Sequence, residues 1–217
     1  MSGDHELRRR AGIGDLSEVL DAAERLVASA QPGEEMEVML GRGASTTVRA
    51  HGGEVESLTS AGSTGGGVRI VRDGRVGFAH CGSIDPDVLA DTLAEARDNC
   101  RFAEPDEANG LAVDDGVEVT PQQLFSDAVI AFEVDDKVAL ALDLERRVTT
   151  ADSRVTSART TTYGDGWGQA ALVSSAGIRR STEYTSCSVG TQPLARDGSE
   201  TQAGWGSDAA RDPADLD

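Results

Sequence analysis

Apolar residues recur at every third or fourth position in the first regular segment of the chain. They form one stripe over Leu16–Ala30, the spacing of an α-helix with a single buried face. Asp15 precedes the stripe and Glu18 lies three residues later, a pairing typical of a helix N-terminus. A Pro-Gly pair ends the pattern. The segment is therefore predicted to be a helix, and residues 1–14 before it a flexible tail.

Beyond this helix the apolar period shortens to two, the period of a strand with one buried face. Turns are predicted at His51–Gly53 and at Asp73-Gly74, because Asp-Gly between two β-prone runs favours a tight hairpin. The glycine-rich Ala61–Gly66 is predicted to be a flexible connection between strands. The predicted strands are Glu35–Leu40, Ser45–Ala50, Glu54–Thr59, Val68–Val71 and Val76–Ala79.

A second helix is predicted to begin at Asp85-Pro86, because proline is preorganised for the first helical position. Its apolar stripe continues to Ala96. Residues 15–103 are therefore predicted to form an α+β domain, an antiparallel sheet covered by two helices. Residues 104–133 are irregular and rich in carboxylates, and they are predicted to be an acidic connector.

A β-rich middle region follows the connector, and residues 134–217 are predicted to form a second domain. It begins with a helix over Asp135–Val148, with Val138 and Leu142 on its buried side. Strands joined by antiparallel hairpins follow this helix. The predicted strands are Thr156–Tyr163, Gly168–Ser174, Ile178–Tyr184 and Ser186–Leu194, and the predicted hairpin tips are Ala176-Gly177 and Asp197-Gly198.

The C-terminal residues repeat the pattern that begins the second helix. Asp212-Pro213 followed by Leu216 has the form of Asp85-Pro86 followed by Leu89, so it is predicted to be the first turn of a helix. So short a helix does not form alone, because nucleation is unfavourable. We therefore expect the chain to be a fragment, truncated before a C-terminal domain.

The charge of the chain argues against two classes of partner. The formal net charge over 217 residues is −18 and the sequence pI is about 4.4, so the surface repels nucleic-acid phosphates and anionic lipids. No apolar run approaches the roughly 18 residues that a membrane-spanning helix needs.

The three cysteines match no zinc or redox spacing, and an odd number argues against a disulfide framework. A cytoplasmic protein without nucleic-acid or membrane partners is predicted.

The histidines do not form a metal-binding motif. His5, His51 and His80 are far apart in the sequence, and no His-Glu-x-x-His or His-Glu-x-x-x-His occurs. His80 and Cys81 are adjacent, so on a strand they point to opposite faces. Zinc binding by this chain is therefore not predicted.

Structural roles also account for the glycine-rich and nucleophilic residues. Gly62–Gly67 is followed by a β-prone run instead of a helix, and it lacks the lysine of a phosphate-binding loop. No Gly-x-Ser-x-Gly motif occurs, and Cys187 is predicted to be a buried strand residue. Trp167 and Trp205 are predicted to pack at a sheet edge. No catalytic, cofactor-binding or metal-binding residue is predicted.

Four segments together carry a family resemblance. Val48–Ser57 reads as a strand and a short turn into a Glu-x-Glu-Ser-like strand. Gly65–Ala79 reads as a Gly-Val-Arg-Val-like strand and a hairpin ending in Gly-Phe-Ala. Ser174–Gly177 has the form of an Asn-Ser-x-Gly hairpin. In this order, and over Asp15–Asp217, the segments resemble the TldD/PmbA family, and Ala195–Trp205 is similar to the middle region of its PmbA (TldE) branch.

The resemblance implies a subunit of a heterodimeric zinc metallopeptidase that degrades or trims unfolded peptides. In this family the TldD-type subunit carries zinc in a His-Glu-x-x-x-His helix, and the PmbA/TldE-type subunit lacks that helix. The resemblance thus implies a non-catalytic subunit whose partners are a zinc-containing TldD-type subunit and peptide substrates. Two alternatives stay open: a non-enzymatic acidic binding or scaffold module, and a catalytic TldD-like chain truncated before its zinc helix.

Overall fold

The computed structural model describes residues 2–217, which form helices packed on one antiparallel sheet. The helices are α1 Ser2–Arg10, α2 Leu16–Val27, α3 Pro86–Phe102, α4 Asp127–Ala131 and α5 Val134–Ala151, with a 3-10 turn at Pro213–Asp215. Within the described residues, no helix is long and apolar enough to cross a membrane. The strands are β1 Glu35–His51, β2 Glu54–Arg72, β3 Arg75–Cys81, β4 Val155–Ser174, β5 Arg179–Asp197, β6 Glu200–Ala203 and β7 Gly206–Ala210. The predicted α+β class is confirmed.

The sheet joins the first and middle regions of the chain. Its order over the described residues is β3-β2-β1-β4-β5-β6, and β7 also pairs with β5. β1 is hydrogen-bonded to β2 on one side and to β4 on the other, so Val38 lies between Val68 and Val173. The middle region therefore extends the sheet of the first region. The division into domains at 15–103 and 134–217 stays a prediction.

The strands are longer than the sequence pattern predicts. β1 has 17 residues and β2 has 19, and each contains two of the predicted short strands. Ala61–Gly66, predicted to be a flexible connection, belongs to β2 and pairs with Leu40–Ser45 of β1. Its glycines permit a close approach: a Cβ at Gly66 would lie 2.1 Å from the carbonyl oxygen of Met39. The predicted connection is therefore wrong, because its glycines serve strand pairing.

The predicted hairpin tips are confirmed. Asp73 and Gly74 have φ values of 51° and 72°, as a type I′ turn between two strands requires. Gly177 and Gly198 have φ values of 95° and 58° at the tips of the β4–β5 and β5–β6 hairpins. Local turn chemistry therefore determines where the long strands reverse.

Aspartates begin the regular segments where the sequence predicts. Each accepts a hydrogen bond from the backbone N–H two residues later, which caps the first turn. The donor–acceptor distances are 2.9 Å for Asp15, 3.0 Å for Asp85 and 2.9 Å for Asp212. At Asp212 the segment that follows is a 3-10 turn of three residues.

Two hydrophobic cores lie on the same face of the sheet. α2 and α3 cover the first core, in which Met36, Val38 and Leu40 of β1 are fully buried. α5 covers the second core, which contains Val48 of β1 and Tyr163 of β4. Residues an even number apart on a strand share a face, so both cores lie on one side of β1. We call the opposite side the open face.

The N-terminal segment differs from the predicted flexible tail. Ser2–Arg10 form helix α1. Arg8 donates a hydrogen bond to Glu183 on β5, 175 positions further along the chain. The Arg8 guanidinium also lies 4.5 Å from the centre of the Phe125 ring. These partners are distant in sequence, so the local pattern of the segment does not indicate them.

Candidate functional site

The open face carries a groove built from small residues of four neighbouring strands. Gly43 on β1 lies opposite Ser63 on β2 and Gly168 on β4, and Gly168 lies opposite Tyr184 on β5. Directly paired residues point to the same face, so these positions form one row across the sheet. The groove has a volume of about 580 Å³. Backbone and small polar side chains therefore form most of its floor.

The glycines of this floor allow β1 and β4 to approach each other closely. A Cβ at Gly43 would lie 2.5 Å from the carbonyl oxygen of Trp167, and one at Gly166 would lie 2.7 Å from that of Ala44. Both obstacles are backbone atoms of paired strands, so neither can rotate away. The shape of the groove thus depends on glycine at these positions.

Large exposed apolar side chains lie in and beside the groove. Met39, Phe78 and Tyr184 are 58%, 55% and 47% exposed. The Phe78 ring lies over Gly67 and the Tyr184 ring over Gly168, where an added Cβ would meet ring atoms at 2.7 and 2.5 Å. Met39 lines the groove together with Tyr184, and a neighbouring cavity of about 450 Å³ together with Phe78. Clustered exposed apolar groups of this kind mark a binding surface.

The acidic connector crosses one end of the open face. It starts at the β2–β3 hairpin, where Asp106 N donates to Gly74 O at 2.8 Å, and it reaches β5, where Thr185 N donates to Leu124 O at 3.0 Å. Between these points Asp114 forms an ion pair of 2.9 Å with Arg180. The backbone N–H of Gly116 and then the Arg180 guanidinium hold the pKa of Asp114 below its usual value. The connector is therefore attached at both ends and along its length.

On the helix side of the groove floor, a buried ion pair ties α5 to β4. Lys137 Nζ lies 2.6 Å from Asp165 Oδ2, and the Tyr163 hydroxyl donates to the same oxygen at 2.9 Å. The side chains of Lys137 and Asp165 are 11% and 4% exposed. Burial, and then the charge of Asp165, raise the pKa of Tyr163, so its hydroxyl stays a neutral donor. Asp165 lies between two groove glycines, so the ion pair positions the strand that forms the floor.

A second buried carboxylate holds the tip of the β1–β2 hairpin. Glu145 of α5 is 4% exposed and accepts hydrogen bonds from the backbone N–H groups of Gly52 and Gly53, at 2.8 and 2.9 Å. Charge-assisted hydrogen bonds to backbone N–H groups are strong, and two of them here share one carboxylate. α5 therefore fixes both the floor of the groove and the hairpin that extends from it.

The sequence pattern did not indicate these residues of α5. It predicts Val138 and Leu142 on the buried side, and both are partly buried against the second core. The buried row is instead Lys137, Ala141 and Glu145, four residues apart. The signal available in the sequence is that Lys137 is its only lysine.

The histidines and cysteines that the sequence raises as candidates do not converge. Among residues 5–217, whose side chains the structure describes, there is no group of three or more His, Cys, Asp or Glu side chains that could hold a metal ion. His51 Nδ1 lies 3.1 Å from the carbonyl oxygen of Ala158. Cys187 is 1% exposed, as predicted for a buried strand residue, and burial is the main cause that raises the pKa of its thiol. Trp205 is 64% exposed and lies near Gly190 of β5.

The fold and the groove together define a class of protein. In this class a first and a central region share one antiparallel sheet, and helices cover one face of that sheet. Residues 36–100 match the family described as PmbA/TldA metallopeptidase domain 1. Residues 128–217 match the PmbA/TldA metallopeptidase central domain. The chain belongs to the PmbA/TldD family, as the resemblance of its sequence segments indicates.

A curated relative agrees with this assignment. The Metalloprotease PmbA of Escherichia coli O157:H7 is 24% identical over 203 residues, which are 93% of this chain and 44% of that protein. The chain thus spans less than half the length of this curated relative.

Three solved structures share the fold. A protein described as a modulator of DNA gyrase from Bacteroides thetaiotaomicron has a TM-score of 0.80 at 22% identity, over 94% of this chain and 47% of its own. A similarly described protein from Thermotoga maritima has a TM-score of 0.76 at 19% identity, over 91% and 44%. TldE from Thermococcus kodakarensis has a TM-score of 0.73 at 16% identity, over 93% and 44%.

Proposed function

We propose that this chain forms the first and central regions of a PmbA/TldE-like, non-catalytic subunit of a cytoplasmic heterodimeric zinc metallopeptidase. The observation that carries the proposal is the match of both regions, in the family's order, to metallopeptidase domains. The relative named Metalloprotease PmbA and the fold shared with TldE support the PmbA/TldE side of the family.

Zinc is implied by the activity but does not fit the residues present here. The sequence lacks a His-Glu-x-x-x-His motif, and the side chains that the structure describes form no metal-binding group. The preference for a TldD-type partner subunit as the holder of the metal rests on the similarity of Ala195–Trp205 to the PmbA (TldE) branch, and no catalytic step is derived from this chain. Its own role is to bind and position an unfolded peptide.

The groove of the open face suits an extended peptide. Its floor offers hydroxyl groups and exposed backbone, the apolar side chains of Met39 and Tyr184 line it, and Phe78 lines the neighbouring cavity that shares Met39. A floor of small residues leaves room for side chains of different sizes, which a degradative peptidase needs. The groove would thus form one wall of the substrate chamber of the heterodimer.

The outer edge of β2 offers a second way to hold a peptide. β3 pairs with β2 only from Gly66 onward, so Glu54–Gly65 has no strand partner on its outer side in the described part of the chain. Ser57–Thr64 contains no charge and no proline, the features that commonly protect an edge strand. Val55 and Leu58 are 40% and 45% exposed. An extended peptide can add to such an edge through backbone hydrogen bonds.

The proposal is tested by mixing the full-length protein with a TldD-type protein from the same organism. We expect a one-to-one complex in size-exclusion chromatography with light scattering, and zinc-dependent hydrolysis of an unfolded peptide by the mixture. The full-length protein alone is the matched control and should neither bind zinc nor hydrolyse the peptide. Zinc binding and hydrolysis by the protein alone would favour a catalytic TldD-like chain. Absence of both complex and hydrolysis would favour a binding module.

A further inference from the structure

A cleft on the helix side of the sheet concentrates positive charge in an otherwise acidic protein. It has a volume of about 400 Å³ and lies between α3, the β2–β3 hairpin and the segment after α2. Among the described residues, four arginines line it, whereas the chain as a whole has a formal net charge of −18. These are Arg72, Arg75, Arg97 and Arg101, and we call them the arginine cleft.

The four arginines form two like-charged neighbouring pairs. Arg72 and Arg75 are directly opposite each other at the end of the β2–β3 hairpin, so their side chains share a face. That face is turned to α3, because a Cβ at Gly77, two residues further on, would lie 2.0 Å from the carbonyl oxygen of Ala96. Arg97 and Arg101 are four residues apart on α3. Like charges that lie directly opposite on paired strands, or four residues apart on a helix, are destabilising unless an opposite charge compensates them.

A buried carboxylate compensates one of the four guanidinium groups. Arg97 makes contacts of 3.0 to 3.3 Å with both carboxylate oxygens of Glu34, whose side chain is 3% exposed. Burial alone would raise the pKa of Glu34, but the hydrogen bonds from Arg97 and Gln31 and the charges of Arg97 and Arg72 hold it below its usual value. Glu34 therefore stays ionised; it is hydrogen-bonded to Arg97, and Arg72 is near enough for its charge to act on the same carboxylate.

The other three arginines keep donors for a ligand. Arg75 donates to the carbonyl oxygen of Ala103, a neutral acceptor. Arg72 reaches the carboxylate of Asp73 only at 4.0 Å. Arg101 pairs with Asp98 at 2.6 Å on an exposed surface, and the negative C-terminal end of α3 also favours it. Neither the ion pair with Asp98 nor the end of α3 explains why Arg72 and Arg75 on the hairpin both point to this cleft.

We propose that the arginine cleft binds a small phosphate-type oxyanion, with Arg72 and Arg75 as its main ligands. A guanidinium group is a planar fork of N–H donors that matches phosphate oxygens bidentately and keeps its charge at all relevant pH values. The cleft volume falls within the range of small-molecule sites, so a phosphate bearing a modest organic group fits. Ile70 and Cys100 lie beneath the cleft and belong to the first core, so the arginine side chains form most of its accessible wall. The inference does not depend on the proposed peptidase role.

Isothermal titration calorimetry of the full-length protein with inorganic phosphate and pyrophosphate tests the site. We expect saturable binding that Arg72→Gln/Arg75→Gln weakens by at least about tenfold, since each lost charge-assisted contact is worth this much. Arg146→Gln/Arg147→Gln removes the same charge from an exposed stretch of α5 and should bind like wild type. Circular dichroism checks that both variants are folded.

Two further titrations identify which chemical group of the protein binds and which class of anion it prefers. Arg72→Lys/Arg75→Lys keeps the charge but removes the planar fork, and we expect it to bind more weakly than wild type. Acetate titration asks whether a carboxylate, such as a peptide C-terminus, is the better ligand, and we expect weaker binding than for phosphate. The proposal is overturned by a lack of saturable phosphate binding, by equal losses in the cleft and control variants, by full affinity in the lysine variant, or by preferred binding of acetate.

Discussion

Two ionisable side chains of α5 enter the second core from the same side of the helix. Lys137 meets Asp165 and Glu145 meets the amides of Gly52 and Gly53. A buried charge is tolerated only where an opposite charge or several hydrogen bonds compensate it, and here each has such partners. These residues thus connect a helix to two separate parts of the sheet through a few short contacts.

Removing one partner of the buried ion pair should therefore be costly. Lys137→Met leaves the Asp165 carboxylate buried with the Tyr163 hydroxyl, and we expect the free energy of unfolding to fall by about 3–5 kcal/mol. The double variant Lys137→Met/Asp165→Asn removes the stranded charge as well and should lose less than the single variant. Urea denaturation followed by circular dichroism measures all three proteins.

The control for this prediction is Arg146→Gln, which removes an exposed positive charge from the same helix. It should change stability by no more than about 0.5 kcal/mol. If Lys137→Met were as stable as this control, the ion pair would not be holding α5 to the sheet.

At the scale of single residues, the sequence predicts those features that are determined by residues close to each other in the chain. The caps at Asp15 and Asp85 and the turn at Asp73-Gly74 depend on atoms within a few residues, and all are confirmed. The pairing of Lys137 with Asp165 joins two elements that only the folded sheet brings together. The helical pattern of Asp135–Val148 identifies only apolar positions, so it cannot reveal this pairing.

At the scale of elements, glycine sets the spacing between β1 and β4. Gly43 and Gly166 lie where a Cβ would meet the backbone of the neighbouring strand. The sequence pattern interprets glycine as a break, because isolated strands disfavour it. That is why β2 is predicted as two pieces although its pairing with β1 continues through Ala61–Gly66. Only the register, which is not visible in one sequence, identifies these glycines as strand residues.

Gly166→Ala tests this role directly. The new methyl group would lie 2.7 Å from the Ala44 carbonyl oxygen, so β1 and β4 must move apart. We expect a loss of about 1–3 kcal/mol in the free energy of unfolding, as for other overpacked sites. Faster amide hydrogen exchange in both strands around Ala44 and Gly166 should accompany it.

Gly206→Ala on β7 is the matched control, because nothing lies within 4 Å of its added Cβ. Alanine restricts the unfolded chain more than glycine does, so this variant should be as stable as wild type or slightly more stable. Equal effects of the two substitutions would show that glycine at position 166 is not needed for close strand packing.

At the scale of the whole molecule, the first and central regions match two separate family domains but share one sheet. β1 contributes Met36, Val38 and Leu40 to the first core and Val48 to the second. A strand that enters two cores transmits the loss of one core to the other, because its pairs with β2 and β4 continue along nearly its entire length. We therefore expect the two cores to unfold together, although the chain matches two separate family domains.

Met36→Ala distinguishes joint from separate unfolding. Met36 is fully buried in the first core, so its truncation should cost about 2–5 kcal/mol. If the sheet couples the cores, the slowest-exchanging amides of α5 and β5 lose the same protection as those of α2 and α3, because both then exchange through one global opening. Hydrogen exchange with mass spectrometry measures both sets in the same sample. Loss of protection confined to α2 and α3 would mean that the domains unfold independently and that the shared sheet is a contact between two separately stable units.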